Sequence, residues 1–192
     1  MIISITGGPG TGKTSVAKLL AERLGYKFYS VGGIRGQMAI ERGITINELN
    51  TLGETDPSTD VPVDDKQREL GTTEDNFVIE GRVSWHFIPH SFKVLLTCDT
   101  DEAARRIYEA RKAQPEDRQD EPEYASIDDV KTAIEERVAS DVRRYQKYYN
   151  IDYRDPAHYD FVLETAPIKG FEAVTDLVEA AAKNHANRPT QA

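Results

Sequence analysis

Cysteine is nearly absent: Cys98 is the single one in 192 residues, so no internal disulfide can staple this chain. Its place directly after Val94-Leu95-Leu96 fits a buried, chemically idle thiol. Positive charge is also in short supply. Lys and Arg number 24 against 33 Asp and Glu, a net charge of −9, which argues against a protein that lays a basic face along DNA or RNA. Any anion site is therefore local. Long apolar runs are missing too: no stretch approaches the ~18 residues of a spanning helix, and the N-terminus lacks the charged start and apolar core of a secretory leader. A cytoplasmic protein with neither a membrane nor a nucleic-acid polymer as partner is expected. Internal repeats and low-complexity segments are lacking, and the length suits one domain with a proper core.

What is present begins at the first residues. Ile2-Ile3-Ser4-Ile5-Thr6 reads as a short buried strand and runs into Gly7-Gly8-Pro9-Gly10-Thr11-Gly12-Lys13-Thr14, a complete G-x-x-x-x-G-K-[ST] phosphate loop. Val16, Ala17, Leu19, Leu20 and Leu24 then recur at helical spacing, so Lys13, Thr14 and Ser15 open a helix whose free N–H groups face the loop. The helix dipole favours anions there, the glycines allow close approach of phosphate oxygens, Lys13 can reach the β- and γ-phosphates, and the Thr14 hydroxyl can ligate Mg²⁺.

Further strands are expected at Tyr26–Ser30, Phe77–Ile79, Phe92–Cys98 and Phe161–Leu163, each bounded by turn residues and alternating with helical patterns. Five such strands imply a parallel sheet flanked by helices on both faces. Gly32 and Gly33 interrupt the pattern after the second strand, two short helices hinge at Gly43, and one more helical piece covers Val63 to Leu70. Residues 32–74 therefore read as an insertion, or as an ordinary surface excursion. Glu80, at the carboxyl end of the third strand, stands where a phosphate-loop protein commonly holds Mg²⁺. Arg82 enters the same crevice, unless it is only a surface arginine.

Glu102 and Arg106 form an i,i+4 pair on the next helix, and Arg111 lies near its end. The charged, proline-punctuated stretch that follows is a loop, which either closes over a site or simply connects. From Ser126, an N-cap with Asp128-Asp129 behind it, a long helix resumes. Arg137, Asp141 and Arg144 share one stripe of it; by spacing alone that is an exposed ion-pair ladder. A helix bearing Phe171, Val174, Leu177 and Val178 closes the fold, and Asn184 to Ala192 read as a disordered tail.

Taken together, the phosphate loop, Ser30-Val31-Gly32-Gly33-Ile34-Arg35, Asp64-Asp65-Lys66-Gln67-Arg68, Val78-Ile79-Glu80-Gly81-Arg82 and the Arg137-x-x-x-Asp141-x-x-Arg144 helix, running on to Asp152, resemble the nucleoside monophosphate kinase family and, within it, the cytidylate kinase-like group. The resemblance covers nearly the whole chain. It implies a P-loop kinase fold in one domain, with a core of residues 1–31, 75–112 and 126–183, an acceptor-binding insertion at 32–74 and a lid at 113–125. It implies ATP and Mg²⁺ as cofactors and a monomer that passes the γ-phosphate of ATP to CMP or dCMP. Residues 7–15 would cradle ATP, with Lys13 on its phosphates and Arg111 at the lid entrance. Thr14 and Glu80 would serve the metal, Arg82 the acceptor phosphate, Arg137 and Arg144 the acceptor or the moving phosphoryl, and Asp141 an arginine or the acceptor ribose.

Two departures from the family pattern stand out. Gly33 replaces an acidic residue and Arg35 falls one position early; Arg106 and Arg111 are five apart where four is usual. For the base, a carboxylate is the natural acceptor for the exocyclic amine of cytosine, which nominates Asp64 and Asp65, with Asn47 behind them. Competing functions are an adenylate, shikimate-like or other small-molecule kinase of the same fold, or an ATP-hydrolysing switch without an acceptor.

Overall fold

The computed structural model describes residues 1–113 and 124–187. Its centre is β1 (Ile2–Gly7), every residue of which is buried. Around it lie β2 (Lys27–Ser30), β3 (Phe77–Glu80), β4 (Phe92–Thr97) and β5 (Phe161–Glu164), in the spatial order β2-β3-β1-β4-β5. All pairings are parallel; Ile5 stands opposite Glu80 on one side and Val94 on the other.

Alternation along the strands sorts their side chains between two layers. Ile3, Ile5, Val78, Val94 and Leu96 pack with Val16, Ala17 and Leu20 of α1 (Lys13–Leu24) and Val174 and Val178 of α8 (Phe171–Ala186). On the opposite face Ile2, Phe77 and Ile79 pack with Leu70 of α4 (Val61–Thr73), Phe87 of α5 (Ser84–Phe87) and Tyr145 of α7 (Ile127–Tyr149). Each such buried side chain contributes about 1.5–3 kcal/mol before entropy is counted. Since β1 is flanked by β3 on one side and β4 on the other, the chain leaves the sheet centre in opposite directions, and a crevice opens at the carboxyl ends of the strands.

Between β2 and β3 the chain folds into α2 (Val31–Glu41), α3 (Ile46–Gly53), a 3₁₀ turn at Pro57–Thr59 and α4. Ala39, Ile46 and Leu49 form a small core of their own. The expected break at Gly32-Gly33 does not occur. Ser30 caps α2 by accepting from the Gly33 N–H, so both glycines lie in the first helical turn. After β4, α6 (Thr100–Ala113) packs Ala103, Ala104 and Ile107 against Val130 and Ile134 of α7, whose start is the expected cap: Ser126 and Asp129 form a reciprocal capping box. The expected lid lies outside the described residues apart from Ala113, Tyr124 and Ala125. The expected tail is corrected in part, because α8 carries helix through Asn184 to Ala186, with Ala182 buried in the core just before it; residues 188–192 lie outside the described residues. Helix α5 gave no periodic signal in the sequence, being a single turn. Among the described residues no helix is long and apolar enough to cross a membrane.

Candidate active site

The phosphate loop takes its shape from two glycines in the left-handed region, Gly10 at φ +74° and Gly12 at φ +82°. Gly10 is required twice over, because a Cβ there would also sit 2.6 Å from the Ala103 carbonyl oxygen of α6. Thr11, buried beneath the loop, donates its hydroxyl to the Gly8 carbonyl at 2.9 Å. Residues 9–15 line a cavity of about 1140 Å³, larger than the roughly 300–1,000 Å³ of a typical single-ligand pocket.

Glu80 projects from the end of β3 into this cavity. It is 2% exposed; one carboxylate oxygen accepts from the Ser30 hydroxyl, the other has no hydrogen-bond partner among the described residues, and Lys13 Nζ approaches it to 3.9 Å. Two residues on, Arg82 donates Nη1 to the Gly7 carbonyl at 2.5 Å and Nε to Asp141 at 3.0 Å. The other oxygen of Asp141 accepts from Arg144 Nη2 at 2.9 Å. Arg144 also donates to the Tyr145 hydroxyl at 2.9 Å and to Asn50 Oδ1 at 3.1 Å. Arg35 donates to Asp60 at 2.5 Å and to the same Asn50 oxygen at 3.2 Å.

These charges are buried, and burial decides between the alternatives that spacing left open. Arg144 is 1% exposed and Asp141 3%, so their stripe is an internal network and no solvated ladder. Burial alone would raise the Asp141 carboxyl, but Arg82, Arg144 and Arg137 hold it below the usual carboxylate range. Burial works against the Arg82 and Arg144 charges as well, and the neighbouring carboxylates and tyrosine oxygens overcome it, pushing both guanidinium groups up. Arg35 goes the other way: burial, then the Arg144 charge, lowers it despite Asp60.

Lys13, Thr14, Ser15, Arg35, Glu80, Arg82, Arg137, Asp141 and Arg144 all line this one cavity. Four expected side chains stand elsewhere. Arg111 is off the wall, while Arg106 is on it, fixed by Glu102 at 2.8 Å and by the Thr165 carbonyl at 2.8 Å. Asp64 is turned to the Tyr149 hydroxyl, which donates to it, and burial raises its carboxyl to about 6. Asp65 faces solvent and pairs with Arg68 at 2.7 Å. Asn47 lines a small crevice with Asn50, Arg137 and Ser140. The residues missed were Asn50 and Asp60, and of Ser30 only the bond to Glu80 was not foreseen. A mid-helix amide and an acid between two prolines carry no signal at sequence level.

A phosphate loop on the central strand of a five-stranded parallel sheet, with an arginine-rich wall opposite it, defines a P-loop kinase, and the protein is a phosphotransferase. Residues 2–167 match the model of the cytidylate kinase-like family. The chain is 35% identical over 187 residues to a cytidylate kinase of Methanocella arvoryzae, covering 94% of this chain and 100% of the relative. It is 37% identical over 168 residues to one of Halorubrum lacusprofundi, with 86% and 81% covered. A shikimate kinase from Bacteroides thetaiotaomicron shares the fold at a TM-score of 0.63 and 16% identity, over 95% of this chain and 98% of that one. The chain belongs to the cytidylate kinase-like family.

Proposed function

We propose that this protein transfers the γ-phosphoryl group of ATP to a nucleoside monophosphate, with CMP and dCMP as preferred acceptors. The observation that carries the reading is the second anion site. Arg35, Arg82, Arg137 and Arg144 converge on the cavity that the phosphate loop opens into, which is what two phosphate-bearing substrates in one crevice require. An ATP-hydrolysing switch needs no such wall. The cytidine preference rests on the relatives' activity.

In this reading the N–H groups at the start of α1 and Lys13 hold the ATP phosphates, and Arg106, anchored to Thr165, flanks the donor side. Arg82 keeps its place by bonding Gly7 and Asp141, so its guanidinium is already oriented when acceptor binds and little is reorganised in the transition state. Mg²⁺, which screens the phosphates when bound, fits the donor set present. It is commonly held by one or two carboxylates plus substrate phosphates, and Glu80 offers a buried oxygen without a hydrogen-bond partner among the described residues, on the wall of the cavity that Thr14 also lines. The test is kcat/KM for CMP, dCMP, UMP and AMP with ATP and Mg²⁺. CMP or dCMP is expected to lead. ADP formation unaffected by any monophosphate would instead make the protein a switch, and AMP as best acceptor would make it an adenylate kinase.

A further inference from the structure

Asp60 stands between two guanidinium groups that belong to different parts of the molecule. Arg35 comes from α2 in the insertion and meets one oxygen at 2.5 Å; Arg144 comes from α7 in the core, its Nε 3.6 Å from the other. All three side chains are at least nine-tenths buried. The network then runs on with alternating sign from Arg144 through Asp141 to Arg82 and the Gly7 carbonyl. Arg35's remaining hydrogen bonds go to neutral oxygens, the Thr59 carbonyl and Asn50 Oδ1, so Asp60 supplies the negative charge that lets two like charges lie side by side.

The backbone is shaped for this contact. Asp56 caps the 3₁₀ turn by accepting from the Ser58 N–H at 2.9 Å, and Pro57 stiffens it, which presents Asp60 at the start of α4. Across from it α3 ends in Gly53, where a Cβ would lie 2.9 Å from Thr59 Oγ1 and 3.2 Å from both Asp60 Oδ2 and Arg144 Cδ. Only a residue without a side chain lets the three approach.

We propose that Asp60 is a positioning residue for the acceptor phosphate: it holds Arg35 and Arg144 as a pair on the cavity wall, so that one anion meets both. The proposal rests on the monophosphate-kinase reading. Three guanidinium groups share two carboxylates in the network, which leaves a net positive charge for an anionic acceptor. Without Asp60, Arg35 is repelled by Arg144 and leaves the wall. Docking of the insertion itself does not depend on Asp60, because Arg143 pairs with Glu54 at 2.7 Å and Lys147 donates to the Glu54 carbonyl at 2.7 Å.

The experiment compares wild type, Asp60→Asn, Gly53→Ala, Arg35→Ala and the Asp60→Asn/Arg35→Ala double variant, with KM for CMP and for ATP measured separately and CMP binding titrated calorimetrically without ATP. Asp60→Asn is expected to raise KM and Kd for CMP by about tenfold or more while KM for ATP stays within about twofold. Gly53→Ala, which crowds the same contact without removing a charge, is expected to shift in the same direction. In the Arg35→Ala background, Asp60→Asn is expected to add less than about twofold, as residues acting through one another do. A CMP constant within about twofold of wild type in Asp60→Asn, or ATP and CMP constants rising together with a falling Tm, overturns the proposal. A wild-type enzyme inactive on every monophosphate overturns the kinase reading and this inference with it, whereas an active wild type with an unshifted Asp60→Asn overturns this inference alone.

Discussion

Arg82 donates to Asp141 at 3.0 Å and, through a second nitrogen, to the carbonyl of Gly7 in the phosphate loop. One side chain thus ties the end of β3 to α7 and to the nucleotide cradle. The bond is buried on both sides, Arg82 being 8% exposed and Asp141 3%.

Asp141→Asn strips the carboxylate from between Arg82 and Arg144. Uncompensated buried charge of this kind costs about 3–5 kcal/mol of stability. If Arg82 and Arg144 serve the acceptor as proposed, misplacing them is expected to lower kcat/KM by about 10²-fold or more. Urea unfolding and steady-state kinetics on the same preparation check both; full activity would show that the network is a packing feature only.

Gly10 and Gly12 both sit at positive φ, yet their surroundings differ. Gly12→Ala meets nothing within 4 Å among the described residues and is expected to cost only the left-handed strain of about 1–2 kcal/mol. Gly10→Ala adds a Cβ at 2.6–2.7 Å from Ala103 on α6, so it is expected to cost about 3 kcal/mol or more and to weaken ATP binding as well. Equal losses in the two variants would contradict the contact with α6.

Lys13→Ala removes the charge that the proposed function assigns to the ATP phosphates, at the start of α1 in the phosphate loop. Turnover is expected to drop by about 10²- to 10³-fold, while Tm falls by less than about 4 °C. Its contact with Glu80, at 3.9 Å, is too long to matter much for the fold. Turnover near wild type would sink the phosphate-loop assignment.

Asp64 carries the pH dependence. Burial, only partly offset by the Tyr149 hydroxyl, raises its carboxyl from 3.8 to about 6. A raised carboxyl means that the folded state binds the proton more tightly than the unfolded one. Its stabilising contribution is therefore complete below 3.8 and is lost as pH rises through about 6, a swing of about 2–3 kcal/mol. Asp64→Asn is expected to raise Tm by roughly 5 °C at pH 8 and progressively less as the pH drops toward 4. Since Asp64 faces Tyr149 and is off the cavity wall, the ratio of CMP to UMP activity is expected to stay unchanged. A collapse of that ratio would restore the base-reading role inferred from its charge.

The sequence by itself determined the phosphate loop, because its geometry is local: strand, glycines, lysine and helix are contiguous, and no distant contact is needed to make an anion cradle of them. It also determined the five strands and the parallel sheet, through short apolar runs alternating with helical patterns. The stripe of Arg137, Asp141 and Arg144 was legible as a stripe. Whether it met water or a cavity was decided by Arg82 and Asn50, which arrive from elements 59 and 94 residues away. Likewise Arg106 and Arg111, five positions apart, point about 140° from each other around one helix, and only packing against Thr165 settled that Arg106 is the one on the wall. Asp64 looked suited to a cytosine amine on charge alone; α7 took it instead through Tyr149. Asp60 had no signal at all, since its meaning lies in two guanidinium groups brought to it from 25 residues upstream and 84 residues downstream. Local backbone chemistry is written along the chain, whereas the pairing of buried charges exists only once the elements that carry them have packed.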